Sequence, residues 1–270
     1  MPTDHCDWYD TPLYYDIIFD ADTPREATFL ETVWTIFGEK SRTRRLLEPA
    51  CGSGRLVIEM ARRGWDVAGF DGNERMLDFA QERLKKEGLK ARLWPDWMQS
   101  FTAPKKDHYD LAHCLVSTFK YLHTEADALA CLLRVCAALK PGGIFVLGLH
   151  LSDYTAAKEE HERWKARRDD IEVVCNTHTW LPDRQTRLEA MRTRLKISHQ
   201  GRSHIQETRW QFRTYDARQM KALLRQVPEL ELQICYDFTY EIEAPRKLDD
   251  SYPDIVLVLK RKVQYSSLSE

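Results

Sequence analysis

The chain has 270 residues, with 40 lysines and arginines against 42 aspartates and glutamates, a formal net charge of −2 and 43% hydrophobic residues. A chain of this length and apolar content fills a hydrophobic core, which excludes disorder as its main state and favours one enlarged domain. Balanced charge argues against a large nucleic-acid-binding face, which is normally basic. No apolar run approaches the roughly 18 residues that a membrane span needs, so no membrane partner is expected.

The N-terminal segment and the cysteines together indicate a cytoplasmic protein. Six aspartates lie in the first 25 residues, the opposite of the basic start and apolar middle of a signal peptide. The seven cysteines are an odd number and contain no Cys-x-x-Cys pair, so neither a disulfide framework nor a zinc site is indicated. We therefore expect reduced, buried thiols and no bound metal.

Taken in chain order, residues 46–150 alternate short apolar runs with helical patterns. This alternation predicts a parallel sheet with crossover helices. The predicted strands are 45–50, 65–70, 89–93, 109–115 and 144–149, and the predicted helices are 55–63, 74–87 and 125–139. The last of these strands is almost continuously apolar, which is typical of a strand covered on both faces. The turn before it is predicted at Lys140-Pro141-Gly142-Gly143.

The pattern changes on either side of this core. The first 40 residues form a separate unit rich in aromatic side chains. Three longer strands of mixed alternation, with turns containing Pro-Asp and Gln-Gly, predict an antiparallel meander between about 171 and 213. These strands are predicted at 171–180, 186–197 and 203–213, followed by a helix at 216–227 and two strands of the main sheet at 230–240 and 255–260.

The sharpest feature is the segment 47–55, Leu-Glu-Pro-Ala-Cys-Gly-Ser-Gly-Arg, with Asp71 at the end of the next strand. A strand here leads into a glycine turn that opens a helix. Glycine allows a tight turn close to a ligand, and the helix start presents unpaired amides. A carboxylate at the end of the second strand suits a pair of ribose hydroxyls, because it can accept from both. The pattern predicts an adenosine-containing cofactor.

Two cofactor classes compete for this turn. A dinucleotide fold calls for a third small residue where helix and strand pack closely, and the chain has Val57 there. S-adenosylmethionine has no pyrophosphate and does not need the third glycine.

At this point the chain resembles the class I S-adenosylmethionine-dependent methyltransferases. Four of the family's motifs occur in order: Glu48-x-Ala50-Cys51-Gly52-x-Gly54, Gly69-Phe70-Asp71 followed by Met76, Asp96 after the third strand, and Leu139-Lys140-Pro141-Gly142-Gly143 before the fifth. The resemblance covers about residues 10–150 and 214–262. It implies an α/β fold, with a Rossmann-like, doubly wound seven-stranded sheet, and S-adenosyl-L-methionine as the cofactor.

The resemblance also implies which residues bind the cofactor. Gly52 and Gly54 would lie under the methionine part, and Asp71 would grip the ribose. Asp96 would accept from the adenine amino group while the amide of Trp97 donates to a ring nitrogen. The full implied set is Tyr14, Arg25, Glu48, Ala50, Cys51, Gly52, Gly54, Asp71, Gly72, Asn73, Met76, Asp96, Trp97, Met98 and Leu115.

Within the family, the N-terminal unit resembles that of small-molecule enzymes such as glycine N-methyltransferase and the amino-sugar N-methyltransferases. The segment 14–18, Tyr-Tyr-Asp-Ile-Ile, resembles their lid helix. Arg25 falls where glycine N-methyltransferase places the arginine that binds the cofactor carboxylate, although a solvated charge at a helix start is the alternative. The expected domains are 1–45 as a helical lid, 46–150 as the cofactor-binding core, 151–213 as an antiparallel β insertion that caps the acceptor or forms a dimer surface, 214–262 as the rest of the core, and 263–270 as a tail.

Methyl transfer from a sulfonium is a direct displacement, so the enzyme mainly aligns the reactants and excludes water. A base matters only when the nucleophile arrives protonated. The catalytic candidates are His150, Tyr121 and Tyr15. His150 has the best location by topology because ligands collect outside the carboxyl ends of strands. Tyr121 stands where several amino-sugar enzymes have a histidine, which weakens its case as a base.

The expected function is methylation of a nitrogen or oxygen on a small-molecule acceptor. Two alternatives stay open, a non-catalytic S-adenosylmethionine-binding scaffold and an RNA or protein methyltransferase. The fourth strand lacks the Pro-Pro-aromatic motif of adenine and glutamine methylation and the Pro-Cys pair of cytosine methylation. The arginines between 184 and 213 fit a solvated sheet face or a homodimer surface better than a phosphate-binding track.

Overall fold

The computed structural model describes residues 3–39, 43–104 and 108–263, which form twelve strands and six α-helices. The strands are β1 (Thr3–His5), β2 (Arg45–Pro49), β3 (Asp66–Asp71), β4 (Arg92–Pro95), β5 (Tyr109–Cys114), β6 (Leu139–His150), β7 (Glu160–Arg168), β8 (Ile171–Thr179), β9 (Leu188–His199), β10 (Arg202–Arg213), β11 (Leu230–Tyr236) and β12 (Asp254–Arg261). The helices are α1 (Pro12–Phe19), α2 (Thr23–Phe37), α3 (Arg55–Arg62), α4 (Glu74–Lys86), α5 (Glu125–Ala138) and α6 (Ala217–Leu224). Short 3-10 helices occur at Trp8–Asp10, Asp20–Asp22 and Thr118–Tyr121.

Seven strands form the main sheet in the order β11-β12-β6-β5-β2-β3-β4. Strand β12 runs antiparallel to both of its neighbours, and the pairs from β6 to β4 are parallel. This arrangement confirms the predicted Rossmann-like sheet. The chain order reverses beside β2, which lies between β3 and β5. In such folds ligands bind outside the carboxyl ends of the strands at this switch point.

Apolar layers cover both faces of the main sheet. Leu46 and Leu47 are consecutive on β2, fully buried, and belong to two different hydrophobic clusters. Phe145 and Val146 on β6 divide between the two clusters in the same way. Because successive side chains of a strand point to opposite faces, both faces must be apolar, as the continuous run at 144–149 predicts.

The remaining strands form a second sheet, here called the cap sheet, in the order β1-β10-β9-β8-β7. Strands β7 to β10 are the antiparallel meander, and β1 adds to its edge in parallel. The sequence predicts only three of these five strands. Strand β7 has the sequence Glu-His-Glu-Arg-Trp-Lys-Ala-Arg-Arg and lies at the edge of the cap sheet, with its charged side chains largely exposed. These charges leave no alternation of apolar and polar residues by which the strand could be predicted. Strand β1 is only three residues long.

Three boundaries in the main sheet also differ clearly from the prediction. Strand β11 ends at Tyr236 rather than at residue 240, because the Tyr240 amide donates to the Asp237 carbonyl at 3.1 Å and closes a turn. Strand β4 begins at Arg92 rather than at residue 89, because Leu89 donates its amide to the Leu84 carbonyl at 2.9 Å and closes the end of α4. Strand β6 already begins at Leu139, so the predicted turn at 140–143 lies within its span. A register shift against β5 between Tyr109 and Leu111 accommodates the extra residues.

The N-terminal segment packs against both sheets. Trp8, Ile17 and Ile18 form one cluster with Val173 and Leu195 of the cap sheet. Helix α2 packs its apolar face on the main sheet instead. The first half of the predicted lid therefore packs against the cap sheet, and its second half packs against the main sheet. Residues 264–270 of the predicted tail lie outside the described residues.

All seven cysteines are free thiols, and all except Cys6 are buried, in agreement with the expectation from their number and spacing. Within the described ranges, no helix has both the length and the apolar character required to cross a membrane.

Candidate active site

A cavity of about 840 Å³ opens where the carboxyl ends of β2 and β3 face the N-terminal segment and the cap sheet. It is called the first cavity below. The main sheet and its loops contribute Ala50, Gly52, Asp71, Gly72, Asn73, Asp96, Trp97, Met98, Gln99, Thr118, Tyr121 and Leu122. The N-terminal segment and β10 contribute His5, Cys6, Asp7, Tyr9, Tyr15, Glu207, Thr208, Arg209 and Trp210. The first cavity thus lies at the switch point of the sheet.

The glycine turn is held in place by Asp71. Its carboxylate accepts the amide of Gly52 at 2.8 Å and the amide of Asn73 at 2.8 Å. Ala50 and Gly52 both have positive φ angles, +52° and +53°, so the turn folds back tightly enough for these contacts. Burial raises the pKa of Asp71, and the amide hydrogen bonds oppose that effect. The carboxylate therefore joins two turns at the floor of the cavity.

Gly54 lies where the start of α3 meets α4. Its φ angle is +72°, and a Cβ at this position would lie 2.7 Å from the Cβ of Ala80 on α4. The absence of a side chain allows the start of α3 to pack against α4. Gly54 is not among the residues that line the first cavity.

We expect Gly54→Ala to lower the free energy of unfolding by about 2–5 kcal/mol, since the left-handed backbone costs about 1–2 kcal/mol and the overlap with Ala80 adds about 1–3 kcal/mol. Gly64→Ala is the matched control, because Gly64 has a φ angle of +83° and nothing within 4 Å of an added Cβ. Urea unfolding should show a clearly smaller loss for Gly64→Ala. Equal losses for the two variants would refute the packing role of Gly54.

At the opposite rim, Asp96 organises the loop after β4. It accepts the amides of Trp97 at 2.9 Å and Thr102 at 3.2 Å. The ring of Trp97 packs over Gly72, where an added Cβ would lie 2.7–2.8 Å from ring carbons, and 62% of the residue is exposed. The structure thus presents the indole ring of Trp97 to the cavity, while its amide is hydrogen-bonded to Asp96.

Ten of the sequence-predicted site residues line the first cavity: Tyr15, Ala50, Gly52, Asp71, Gly72, Asn73, Asp96, Trp97, Met98 and Tyr121. Eight do not line it: Tyr14, Arg25, Glu48, Cys51, Gly54, Met76, Leu115 and His150. The roles given to these eight residues stay predictions.

Several of the eight residues have evident structural contacts. Arg25 is half-exposed, donates to Asp22 at 2.9 Å and stacks its guanidinium over the ring of Tyr240. Met76 is fully buried in the core. Tyr14 lies near the ring of His204 on the cap sheet.

A buried charged group centred on Arg55, which is not among the sequence-predicted site residues, lies behind the glycine turn. Arg55 forms a 2.5 Å ion pair with Glu26 of α2, and the Tyr240 hydroxyl donates to Glu26 at 3.3 Å. Burial raises the pKa of Glu48 to about 8, although Arg55 opposes the rise. Burial, and then Arg55, lower the pKa of His113 to about 3. One signal in the sequence does point here, because an arginine at a helix N-terminus faces the positive end of the helix dipole and needs an acidic partner.

Asp16 of α1 is fully buried and connects four parts of the chain. It accepts from the Ser53 hydroxyl in the glycine turn at 2.7 Å and forms a 2.7 Å ion pair with Arg168 at the end of β7. The guanidinium of Arg83 on α4 also donates to it. The lid helix is thereby fixed to the glycine turn, to α4 and to the cap sheet.

Four aromatic side chains, named the aromatic wall, stand opposite the glycine turn: Tyr9, Tyr15, Tyr121 and Trp210. The Tyr9 hydroxyl donates to that of Tyr121 at 2.9 Å. The ring centroid of Tyr9 lies 5.4 Å from that of Tyr15 and 6.0 Å from that of Trp210. Burial raises the pKa of all three tyrosines well above 10, so their phenols are protonated at neutral pH. These groups can donate hydrogen bonds but cannot act as bases there.

His150 lines a second cavity of about 620 Å³ together with Lys120, Glu159 and Glu189. The 3-10 helix at 118–121 separates the two cavities, since Tyr121 lines the first and Lys120 the second. Lys120 donates to Glu189 at 2.6 Å. The His150 side chain is accessible from this cavity, where desolvation and then the Lys120 charge lower its pKa to about 4. The two leading catalytic candidates therefore do not share a cavity.

Comparisons with known proteins agree on one family for the core. Residues 46–143 match the family model described as a methyltransferase domain. YqeM of Bacillus subtilis (strain 168), named as a candidate methyltransferase, is 32% identical over 143 residues, which are 52% of this chain and 57% of that protein. A glycine/sarcosine N-methyltransferase from Aphanothece halophytica is 32% identical over 105 residues, 38% of this chain and 39% of that protein. The chain spans roughly half the length of these curated relatives or less.

Solved structures match over nearly the whole chain. An S-adenosylmethionine-dependent methyltransferase from Clostridium acetobutylicum ATCC 824 gives a TM-score of 0.74 at 18% identity, covering 92% of this chain and 96% of its own. An amino pentose methyltransferase from Micromonospora echinaspora, involved in calicheamicin biosynthesis, gives 0.67 at 18% identity, covering 90% and 92%. At this identity the likeness shows the fold.

Proposed function

We propose that this chain, whose residues 46–143 match the model of a methyltransferase domain, is an S-adenosylmethionine-dependent enzyme that transfers a methyl group to an amine nitrogen of a small molecule. One observation carries the proposal. The glycine turn and Asp71 open into the same cavity as the aromatic wall. At about 840 Å³ it lies in the upper part of the range of about 300–1,000 Å³ for small-molecule sites, which leaves room for a cofactor and an acceptor.

The residues around the glycine turn fit S-adenosylmethionine. An added Cβ at Gly52 would meet only the Tyr15 ring, at 3.7 Å, so the backbone of the turn is open to a ligand. The Asp71 carboxylate lies beside it and suits ribose hydroxyls. When bound, the cofactor supplies an electrophilic methyl carbon on a positively charged sulfur.

The charge of the first cavity favours a cationic acceptor. Its described lining contains four carboxylates and one guanidinium, and that arginine, Arg209, donates to Glu207 at 2.9 Å. Asp7, Asp71 and Asp96 have no cationic side chain as partner among the ion pairs of the described residues. Aromatic faces attract cations as well. An amine, which is an ammonium in water, is better matched to this lining than an alcohol or an anionic group.

Residues of this chain are suited both to align the acceptor and to accept the proton that the amine loses. The amine must lose a proton before its lone pair can attack, and the protonated phenols of the aromatic wall cannot take it. Asp7 lies in the cavity, and burial raises its pKa, so this carboxylate is suited to accept that proton. The deprotonated amine would then be free to take the methyl group that the bound cofactor supplies, with the neutral sulfur as the leaving group. Tyr9, Tyr121 and Trp210 would exclude water and orient the acceptor during this step.

We expect Trp210→Leu to raise the KM for the amine acceptor by about tenfold or more, since a desolvated cation–π contact contributes about 2 kcal/mol. Affinity for S-adenosylmethionine should change less than about twofold, a shift within about 0.4 kcal/mol. Steady-state kinetics and calorimetry measure the two effects separately. Leu133→Ala, on the exposed side of α5, should change neither value. An unchanged KM in Trp210→Leu would contradict the assignment of the aromatic wall to the acceptor.

A further inference from the structure

Three metal-ligating side chains converge at one end of the cap sheet, outside the first cavity. They are Glu159, just before β7, His161 on β7 and His178 on β8. One ligand atom of each lies within 4.8 Å of the other two. Nothing in the sequence marks this group, because the two histidines are far apart in the chain and the spacing matches no short zinc motif. The group is called the metal trio below.

The sheet itself sets the geometry of the metal trio. His161 and His178 are directly opposite each other in the antiparallel register of β7 and β8, and their ring centroids lie 4.2 Å apart. Glu159 precedes His161 by two residues and so shares its face. Its Oε2 lies 2.6 Å from Nε2 of His178. Paired backbones fix the separation of the two histidines, which limits the reorganisation needed to surround an ion.

We propose that the metal trio binds a divalent transition-metal ion of the zinc class. Imidazole nitrogen and carboxylate oxygen are the donors that zinc prefers besides thiolate. Three protein ligands leave at least one coordination position for water or another small ligand. His178 is largely buried, whereas His161 and Glu159 are exposed, so an ion can enter without opening the fold.

A neighbouring ring supports the central ligand. The ring of Trp180, the first residue after β8, lies 4.2 Å from that of His178. Packing against the indole restricts rotation of the imidazole. A metal ligand that is held in one orientation needs less reorganisation when the ion binds. Trp180 and Glu159 also line the second cavity, so the ion would lie at its rim.

Binding there would stabilise the outer edge of the cap sheet. Among the described strands β7 pairs with β8 alone, and its far end carries Arg168, the partner of Asp16. An ion held by β7 and β8 together would fasten the other end of the same edge strand. A ligand that binds only the folded state raises the apparent stability by mass action.

The test uses the full chain, freed of metal with a chelator, in a Cys6→Ser background, because Cys6 is the one cysteine that is not buried. Zinc chloride is titrated by calorimetry, and thermal unfolding is recorded with and without zinc. We expect one zinc per chain and a rise in melting temperature. His178→Ala should weaken zinc binding by at least about tenfold, since even loss of a supporting outer-shell group costs about 10–100-fold.

The matched control is His199→Ala. His199 is a partly exposed histidine on β9 that pairs with Asp170 at 3.0 Å, and it does not belong to the metal trio. This variant should bind zinc with the original affinity. If His178→Ala fails to fold by circular dichroism, Glu159→Gln replaces it with the same expectation. Absence of stoichiometric zinc binding, or equal affinity in the trio variant and the control, would overturn the proposal.

Discussion

Replacing Asp71 with alanine should remove nearly all affinity for S-adenosylmethionine. A hydrogen bond to a charged group contributes about 1.5–3 kcal/mol, so loss of two ribose contacts corresponds to at least about a 100-fold weaker complex. The variant also loses the two amide contacts that join the glycine turn to the turn before α4. Isothermal calorimetry with S-adenosylmethionine and S-adenosylhomocysteine measures the effect directly.

Asp66→Ala is the matched control for this experiment. Asp66 begins the same strand that Asp71 ends, and its side chain is 76% exposed beside Arg45. We expect it to keep the original affinity. Asp71→Asn preserves the shape of the side chain and so tests whether a loss of cofactor binding in Asp71→Ala is caused by unfolding. We expect Asp71→Asn also to bind S-adenosylmethionine poorly. Unchanged affinity in a folded Asp71→Ala would contradict the assignment of the cofactor to this turn.

Replacing Asp16 with alanine should cause a large loss of stability. Removing one member of a buried charged group costs about 3–5 kcal/mol because its partners stay behind unpaired. Arg83 and Arg168 are partly exposed and can be hydrated, so we expect the lower end, about 3 kcal/mol. This corresponds to a melting temperature lower by about 6–12 °C.

Asp20 supplies the comparison for Asp16. It lies near the same two arginines, 3.0 Å from Arg168 and 4.0 Å from Arg83, but 45% of its side chain is exposed. Asp20→Ala should therefore cost no more than about 1 kcal/mol. Cofactor affinity should fall in Asp16→Ala alone, because only Asp16 accepts from Ser53 of the glycine turn. Thermal unfolding and calorimetry on both variants decide this, and losses of equal size would refute the role of Asp16.

The parts of the site that follow from local sequence could be predicted. The glycine turn and Asp71 are such a case: parallel strands bring consecutive carboxyl ends to one edge, so two distant motifs must meet there. The two-sided burial of β6 is also visible, because a continuous apolar run leaves no face for solvent.

The parts that depend on long-range pairing could not be predicted. Tyr9 and Trp210 meet only because β1 adds to the edge of β10 in parallel, and a three-residue strand has no period to detect. Strand β7 is hidden by its charges, so its contact with Asp16 and the register that pairs His161 with His178 were hidden too. The resemblance to glycine N-methyltransferase suggested Arg25 for the cofactor, and the structure places its guanidinium against Asp22 and Tyr240, a contact that the sequence did not predict.

The central claim is that the first cavity transfers a methyl group to a small-molecule amine. The most direct measurement is time-resolved formation of S-adenosylhomocysteine by the purified chain, with a panel of small amines, each paired with the alcohol of the same skeleton. We predict product with at least one amine, far less with its matched alcohol, and none in Asp71→Ala. Cofactor binding without product for any amine, or equal turnover of an amine and its alcohol, would contradict the account.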